Sequence, residues 1–233
     1  MQEKVCYYTI KCKKYKEGNC PLTSSSDAVC LKLYKINKLQ ELALLSEKQR
    51  EHVPLRLDSD KCDKDAFEKL KEIETRIESF IRNGDNLYIY SANTGNGKSS
   101  WALRLLNSYF EKIWYSSDLR CKGLFINIPK FLISLKENIS QKSEYIQHIK
   151  ENVLNADLVI WDDVATKGFT TFEMENVLNL INNRLDDGKS NIYTSNLIGE
   201  ELRSAVGDRL YSRMIGLSEV ITFVGKDKRG LKY

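Results

Sequence analysis

Leu87-Tyr88-Ile89-Tyr90-Ser91-Ala92-Asn93-Thr94-Gly95-Asn96-Gly97-Lys98-Ser99-Ser100-Trp101-Ala102-Leu103 is the stretch on which the fold turns. It reads as a short buried strand, a glycine-bearing turn and the first turns of an amphipathic helix. Gly95 and Gly97 can take φ > 0, which lets consecutive N–H groups converge on phosphate oxygens at a helix N-terminus. Lys98 then supplies a point charge for the β- and γ-phosphates, and the Ser99 hydroxyl is placed to ligate Mg²⁺. Asn93, Thr94, Gly95, Asn96, Gly97, Lys98, Ser99 and Ser100 are therefore the expected nucleotide contacts. The pattern G-x-x-x-x-G-K-[ST] is broken at its first position, Ala92. Alanine is harmless there at negative φ and costs about 1–2 kcal/mol in the left-handed region. A plain Gly-Asn-Gly turn is the other reading; the strand before it, the helix after it and the Lys-Ser pair favour the phosphate site.

Around this stretch the chain has 233 residues, 42% of them hydrophobic, enough for one α/β domain of about 170 residues and a small appendage. The longest apolar runs, such as Leu158-Val159-Ile160-Trp161, span four residues, far below the roughly 20 that cross a bilayer. Met1 to Lys14 lacks a secretory apolar region, so a cytoplasmic protein with no membrane partner is expected. The net charge of +4 is concentrated before residue 60. It permits a local basic surface and does not by itself establish nucleic-acid binding.

Residues 1–28 are polar and broken by Gly18, Pro21 and three serines, and Asp27 is placed to cap a helix running through Leu31, Leu39 and Leu45. This predicts an N-terminal helical module over 1–50, a linker over 51–62 containing Pro54, and the main domain over 63–233. Cys6, Cys12, Cys20 and Cys30 fall in the module. In a cytosolic chain they are either zinc ligands or plain reduced thiols: the spacing lacks paired C-x₂₋₄-C knuckles, whereas a segment poor in large aliphatics often needs a metal to order it. From Asp63 a helix is expected as far as Gly84, on the spacing of Ala66, Leu70, Ile73, Ile77 and Phe80. Beyond it strands near 87–91, 123–127, 157–161, 191–195 and 219–224 alternate with helices, which implies a doubly wound parallel sheet with ligands at the carboxyl ends of its strands.

Asp157-Leu158-Val159-Ile160-Trp161-Asp162-Asp163 is an apolar strand that delivers two carboxylates to its tip. Asp162 suits a Mg²⁺ ligand and Asp163 a base for the water attacking a γ-phosphate, unless the pair merely caps the next turn. Asn191 to Asn196 is another strand with a polar end at the same edge, where Asn196 can bond the γ-phosphate or water, or simply form a turn. Arg209 and Arg213 lie four apart on one helix face, as surface charge or as an arginine finger for a neighbouring subunit.

Taken in order, the glycine loop, Asp162-Asp163, Thr194-Ser195-Asn196 and Asp208-Arg209-Leu210-Tyr211-Ser212-Arg213 resemble the AAA+ ATPases of the DnaC/DnaI helicase-loader and IstB group, the phage-encoded DnaC-like loaders in particular. The resemblance covers about residues 85–225. It implies a P-loop NTPase domain without the helical lid of larger members, and a loosely similar helicase-binding module in the cysteine-bearing N-terminus. It further implies ATP and Mg²⁺ as cofactors, sensor 1 at Asn196 and a finger at Arg213. The activity implied is a slow ATPase dependent on DNA or a partner. The partners implied are a replicative DNA helicase, single-stranded DNA and other copies of the chain when ATP is bound. The usual Asp-Glu of the group is Asp162-Asp163 here, which bears on hydrolysis rate more than on binding. An IstB-like transposition helper and a non-hydrolysing nucleotide-bound adaptor are the alternatives.

Overall fold

A computed structural model of the chain describes residues 17, 28–50, 63–138, 140–165 and 168–227. Helices α1 (Ala28–Leu42), α2 (Glu47–Arg50), α3 (Lys64–Thr75) and α4 (Ile77–Arg82) precede strand β1 (Asn86–Tyr90). Next come α5 (Lys98–Ile113), β2 (Gly123–Asn127), α6 (Ile128–Glu137), α7 (Glu144–Asn152) and β3 (Leu158–Val164). The order closes with α8 (Thr171–Asp186), β4 (Ser190–Ser195), α9 (Gly199–Val206), α10 (Asp208–Gly216) and β5 (Ser218–Thr222).

The five strands form one parallel sheet in the order β2-β3-β4-β1-β5. Successive side chains of a strand point to opposite faces, and that alternation divides the core in two. Leu87, Ile89, Phe125, Ile160 and Ile192 pack beneath α1, α3, α4 and α5, and Tyr88, Leu124, Val159, Trp161 and Tyr193 beneath α6 to α10. α5 is held by fully buried Trp101, Leu105, Leu106 and Phe110, each such aliphatic or phenyl side chain stabilising by about 1.5–3 kcal/mol. From β1 the chain runs through α5 on one face to β2, whereas from β4 it runs through α9 and α10 on the other face to β5. The adjacent strands β1 and β4 thus part in opposite directions, and such a divergence opens a crevice at their carboxyl ends.

The helix expected from Asp63 to Gly84 is two helices, because the backbone breaks at Arg76 (φ −101°, ψ 24°). Ser79 Oγ bonds the Arg76 carbonyl at 2.8 Å there. The apolar spacing runs through the break, so both pieces keep their faces on one core. At the N-terminus, residues 1–16 and 18–27 of the expected 1–50 module, like the 51–62 linker, lie outside the described residues. α1 and the turn after it bury Leu39, Ala43 and Leu45 in the α5 core, with Gln40 Nε2 donating to Asn107 Oδ1 at 2.8 Å. Among the described residues no helix is long and apolar enough to cross a membrane.

The amino end of the sheet is closed by a buried polar network. Arg184 is fully buried and donates to Val153 O (2.5 Å), Ala156 O (2.8 Å), Ser190 O (2.6 Å) and Asn191 Oδ1 (2.8 Å). Trp161 Nε1 also donates to Asn191 Oδ1, and Asn191 Nδ2 donates to Asn86 Oδ1. Burial pushes the guanidinium pKa down to about 10, so it stays charged at neutral pH. Arg184→Met should strip these acceptors of their donor, cost about 3 kcal/mol or more and lower the melting temperature by roughly 6–12 °C. Thermal unfolding followed by circular dichroism checks this, and an unchanged midpoint contradicts it.

Candidate functional site

The crevice between β1 and β4 is filled by the loop that follows β1. Ser91 N donates to Ser195 O at 3.2 Å, extending the strand pairing by one residue. The chain then turns through Gly95 (φ 69°) and Gly97 (φ 105°) into α5. A side chain at Gly97 would meet no neighbouring atom, so only its backbone angle demands glycine. Ala92 is not among the residues with positive φ, and the departure from the motif at that position therefore carries no left-handed strain.

Side chains lace the loop. Asn93 N donates to Ser91 Oγ at 3.1 Å, and Asn96 Nδ2 bonds the same oxygen. Lys98 is buried, and its Nζ donates to Asn93 O at 3.0 Å. Asn196 Nδ2 reaches over from the end of β4 to Ser91 O (2.8 Å) and Asn93 O (3.1 Å). At the start of α5 the N-cap residue Gly97 offers no side-chain cap and no acidic residue lies in the first turn, so the amides and partial positive charge of a 16-residue helix face the loop. Ser99 and Ser100, half-buried, stand in that first turn. Buried lysine, helix amides and hydroxyls together suit a phosphate chain.

The carboxylate expected to act with it is held near the end of β3. Asp162 is buried, accepts from Thr194 Oγ1 at 2.7 Å and lies 3.4 Å from Asn127 Nδ2. Burying a carboxylate is tolerable only with such partners. Asp163 does not continue the strand geometry: its φ is +63°, the β3–β4 register shifts between Trp161 and Val164, and its N–H donates to Thr194 Oγ1 at 2.9 Å. One hydroxyl thus orients both aspartates. A non-glycine residue at positive φ persists only where its surroundings impose it, and Asp and Asn tolerate it best. The Asp162 carboxylate and Ser99 hydroxyl are hard oxygen donors of the kind Mg²⁺ takes.

Asn127 was not singled out by motif or spacing, and Thr194 entered only within the Thr194-Ser195-Asn196 motif, with no role of its own. The available signal was position, since both sit at or next to the last residue of a strand at the carboxyl edge. Arg213 is not brought to the loop by any contact among the described residues; it is exposed on α10 and, with Arg209 and Ser212, lines a groove against Asn179 and Asn182 of α8. Cys6, Cys12 and Cys20 lie outside the described residues, and Cys30 is on α1. Among the described residues no group of three His, Cys, Asp or Glu side chains could hold a metal ion.

The sheet order and the placement of loop and carboxylate at its edge follow the fold of AAA+ P-loop NTPase domains. This architecture is shared with a crystal structure of the DnaC helicase loader (TM-score 0.59, 16% identity), over 76% of this chain and 99% of that one. A crystal structure of DnaI matches at TM-score 0.57 and 15% identity, over 82% of this chain and 93% of that one. The replication initiator DnaA bound to AMPPCP and single-stranded DNA matches at TM-score 0.54 and 19% identity, over 71% and 47%. At these identities the likeness is one of fold. No protein-family model matches the chain, and no curated protein matches it in sequence.

Thr194→Val should weaken nucleotide affinity on the order of tenfold in the presence of Mg²⁺ and leave it unchanged in EDTA, because the hydroxyl aims the carboxylate and touches no phosphate donor. Equal loss with and without the metal contradicts this role.

Proposed function

We propose that the chain is an ATP-switched DNA replication protein of the helicase-loading type. Residues 1–50 form the module that grips a replicative helicase, 51–62 the linker, and 63–233 the ATPase domain that assembles with other copies on single-stranded DNA. The observation that carries this reading is that the Gly95/Gly97 loop, buried Lys98 and the Thr194-held Asp162 all stand at the carboxyl edge of one parallel sheet. The three fold neighbours described above are replication proteins, and one of them was solved with AMPPCP and single-stranded DNA.

The loop amides from Asn93 to Ser100 and the Lys98 ammonium bind the phosphates of ATP. Releasing its bonds to loop carbonyls frees Lys98 Nζ for that purpose. Ser99 and Asp162 would hold Mg²⁺, which would supply positive charge against the phosphates. Asp163, turned by its left-handed backbone, accepts the proton of the attacking water. Asn196 senses the γ-phosphate from β4, because its amide already spans to Ser91 and Asn93. Arg213 is exposed and makes no ion pair among the described residues, which suits a finger offered to a neighbouring copy. Of two lysines on α6 that face solvent, Lys136 is committed to Glu173 at 2.9 Å, whereas Lys130 rests over the Tyr145 ring, 4.5 Å from its centroid, and remains the better contact for a DNA phosphate.

Steady-state phosphate release should be slow for the chain alone and rise with single-stranded DNA. Asp163→Asn keeps a side chain that tolerates positive φ, so it should bind Mg·ATP normally and lose turnover by about 100-fold or more. Unaffected turnover removes Asp163 from the chemistry, and DNA-insensitive turnover without helicase capture removes the loader reading.

Arg213→Ala should lose about 10³-fold or more in DNA-stimulated turnover at little cost in ATP affinity. Mixed with Asp163→Asn chains it should regain activity, because interfaces then form between an intact site and an intact finger. A mixture that stays inactive while wild type assembles on DNA places the finger elsewhere.

A further inference from the structure

Asp63 occupies the N-cap position of α3, yet its side chain caps nothing in its own helix. An aspartate there ordinarily accepts from the amides two or three residues ahead. This one is fully buried and turned toward the end of β5 instead. Its Oδ1 accepts from Val224 N at 2.7 Å, and Gly225 N donates to Oδ2 at 3.1 Å and to Oδ1 at 3.2 Å. The carbonyls of the same two residues face the phosphate loop. Val224 O and Gly225 O accept from Asn93 Nδ2 at 3.2 and 3.1 Å, and Gly225 O lies 3.5 Å from Asn96 Nδ2. Val224 C=O and Gly225 N–H belong to one planar peptide unit, so a carboxylate on its hydrogen side polarises the oxygen that Asn93 grips on the other. Aromatic packing ties the same segments together. The Phe67 ring of α3 lies 5.5 Å from that of Trp101 in α5 and 5.3 Å from that of Phe223, whose N–H donates to Tyr90 O at 2.8 Å.

We infer that Asp63 is a positioning residue for the phosphate loop: through the Val224 and Gly225 peptides it holds Asn93 and Asn96. It thereby couples nucleotide on the loop to the point where the chain enters the ATPase domain. The inference rests on the reading of the loop as a nucleotide site. Coupling of this kind is reciprocal, so nucleotide binding tightens the Asp63 junction as much as the junction tightens nucleotide. Whatever pulls on the chain just before Asp63 therefore reaches the loop through one peptide plane.

The test measures the affinity of Mg²⁺ and a fluorescent ATP derivative for the full chain, for Asp63→Asn, for Asn93→Ala and for the double variant. Each single change should weaken binding about tenfold. The double variant should be no weaker than the worse single, because both cut one relay. Amide exchange on the wild type gives a second readout that needs no variant to fold: saturating Mg·ATP should slow exchange over residues 223–225 as well as over the loop. Wild-type affinity in folded Asp63→Asn, losses that multiply in the double variant, or protection confined to residues 91–100 would each overturn the positioning role and leave the loop assignment standing. Absence of nucleotide binding by the wild type would instead remove the loop assignment, and the inference with it.

Discussion

The pairing of β1 with β4 at their carboxyl ends is the contact on which the rest of the site depends. The two strands lie side by side although their connections leave over opposite faces of the sheet, and backbone groups beyond the last rung must therefore find other partners. Ser91 N–H finds Ser195 O, and the Ser91 carbonyl finds the Asn196 amide. These bonds set where the loop begins. The loop in turn fixes where the α5 amides point, and β4, through Thr194, fixes where both aspartates of β3 stand. A displacement of β4 by even an ångström would therefore move the loop and the Asp162 carboxylate together. On the proposed reading, that links nucleotide state to sheet geometry.

The two ends of the sheet are built differently. At the amino end, Arg184, Asn191, Asn86 and Trp161 form a buried network with bonds into the backbone around Ala156 and Ser190. Such a network is costly to open, since every member left behind is a desolvated polar group. At the carboxyl end the bonds run to loop carbonyls, and Lys98 and Asn196 share those of Ser91 and Asn93. Bonds of this sort exchange readily for phosphate oxygens, because donor and charge are kept while only the acceptor changes. Rigidity at one edge and exchangeable polar contacts at the other are what a switching site requires.

Much of the fold was legible because strands such as Leu158-Val159-Ile160-Trp161 are short continuous apolar runs, the signature of a sheet covered on both faces. The turn between strand and helix was legible because its cues are local: two glycines, a lysine and a serine lie within a few residues of one another, and both glycines take positive φ. What could not be read depended on partners far apart in sequence. Thr194 looks like an ordinary strand residue until its hydroxyl is seen between Asp162 and Asp163. Asp63 looks like a helix cap until its carboxylate is found on amides 161 and 162 positions away. The break at Arg76 was hidden because no glycine or proline marks it, and the apolar period continues through both helices.

Everything proposed for the chain stands on phosphate binding at Lys98. Isothermal titration of ATP with Mg²⁺ into the wild-type chain and into Lys98→Ala tests this most directly. The account predicts one site per chain in the wild type, with affinity reduced at least 100-fold in Lys98→Ala while near-UV dichroism shows the same folded core. Equal affinity in the two folded proteins would contradict it.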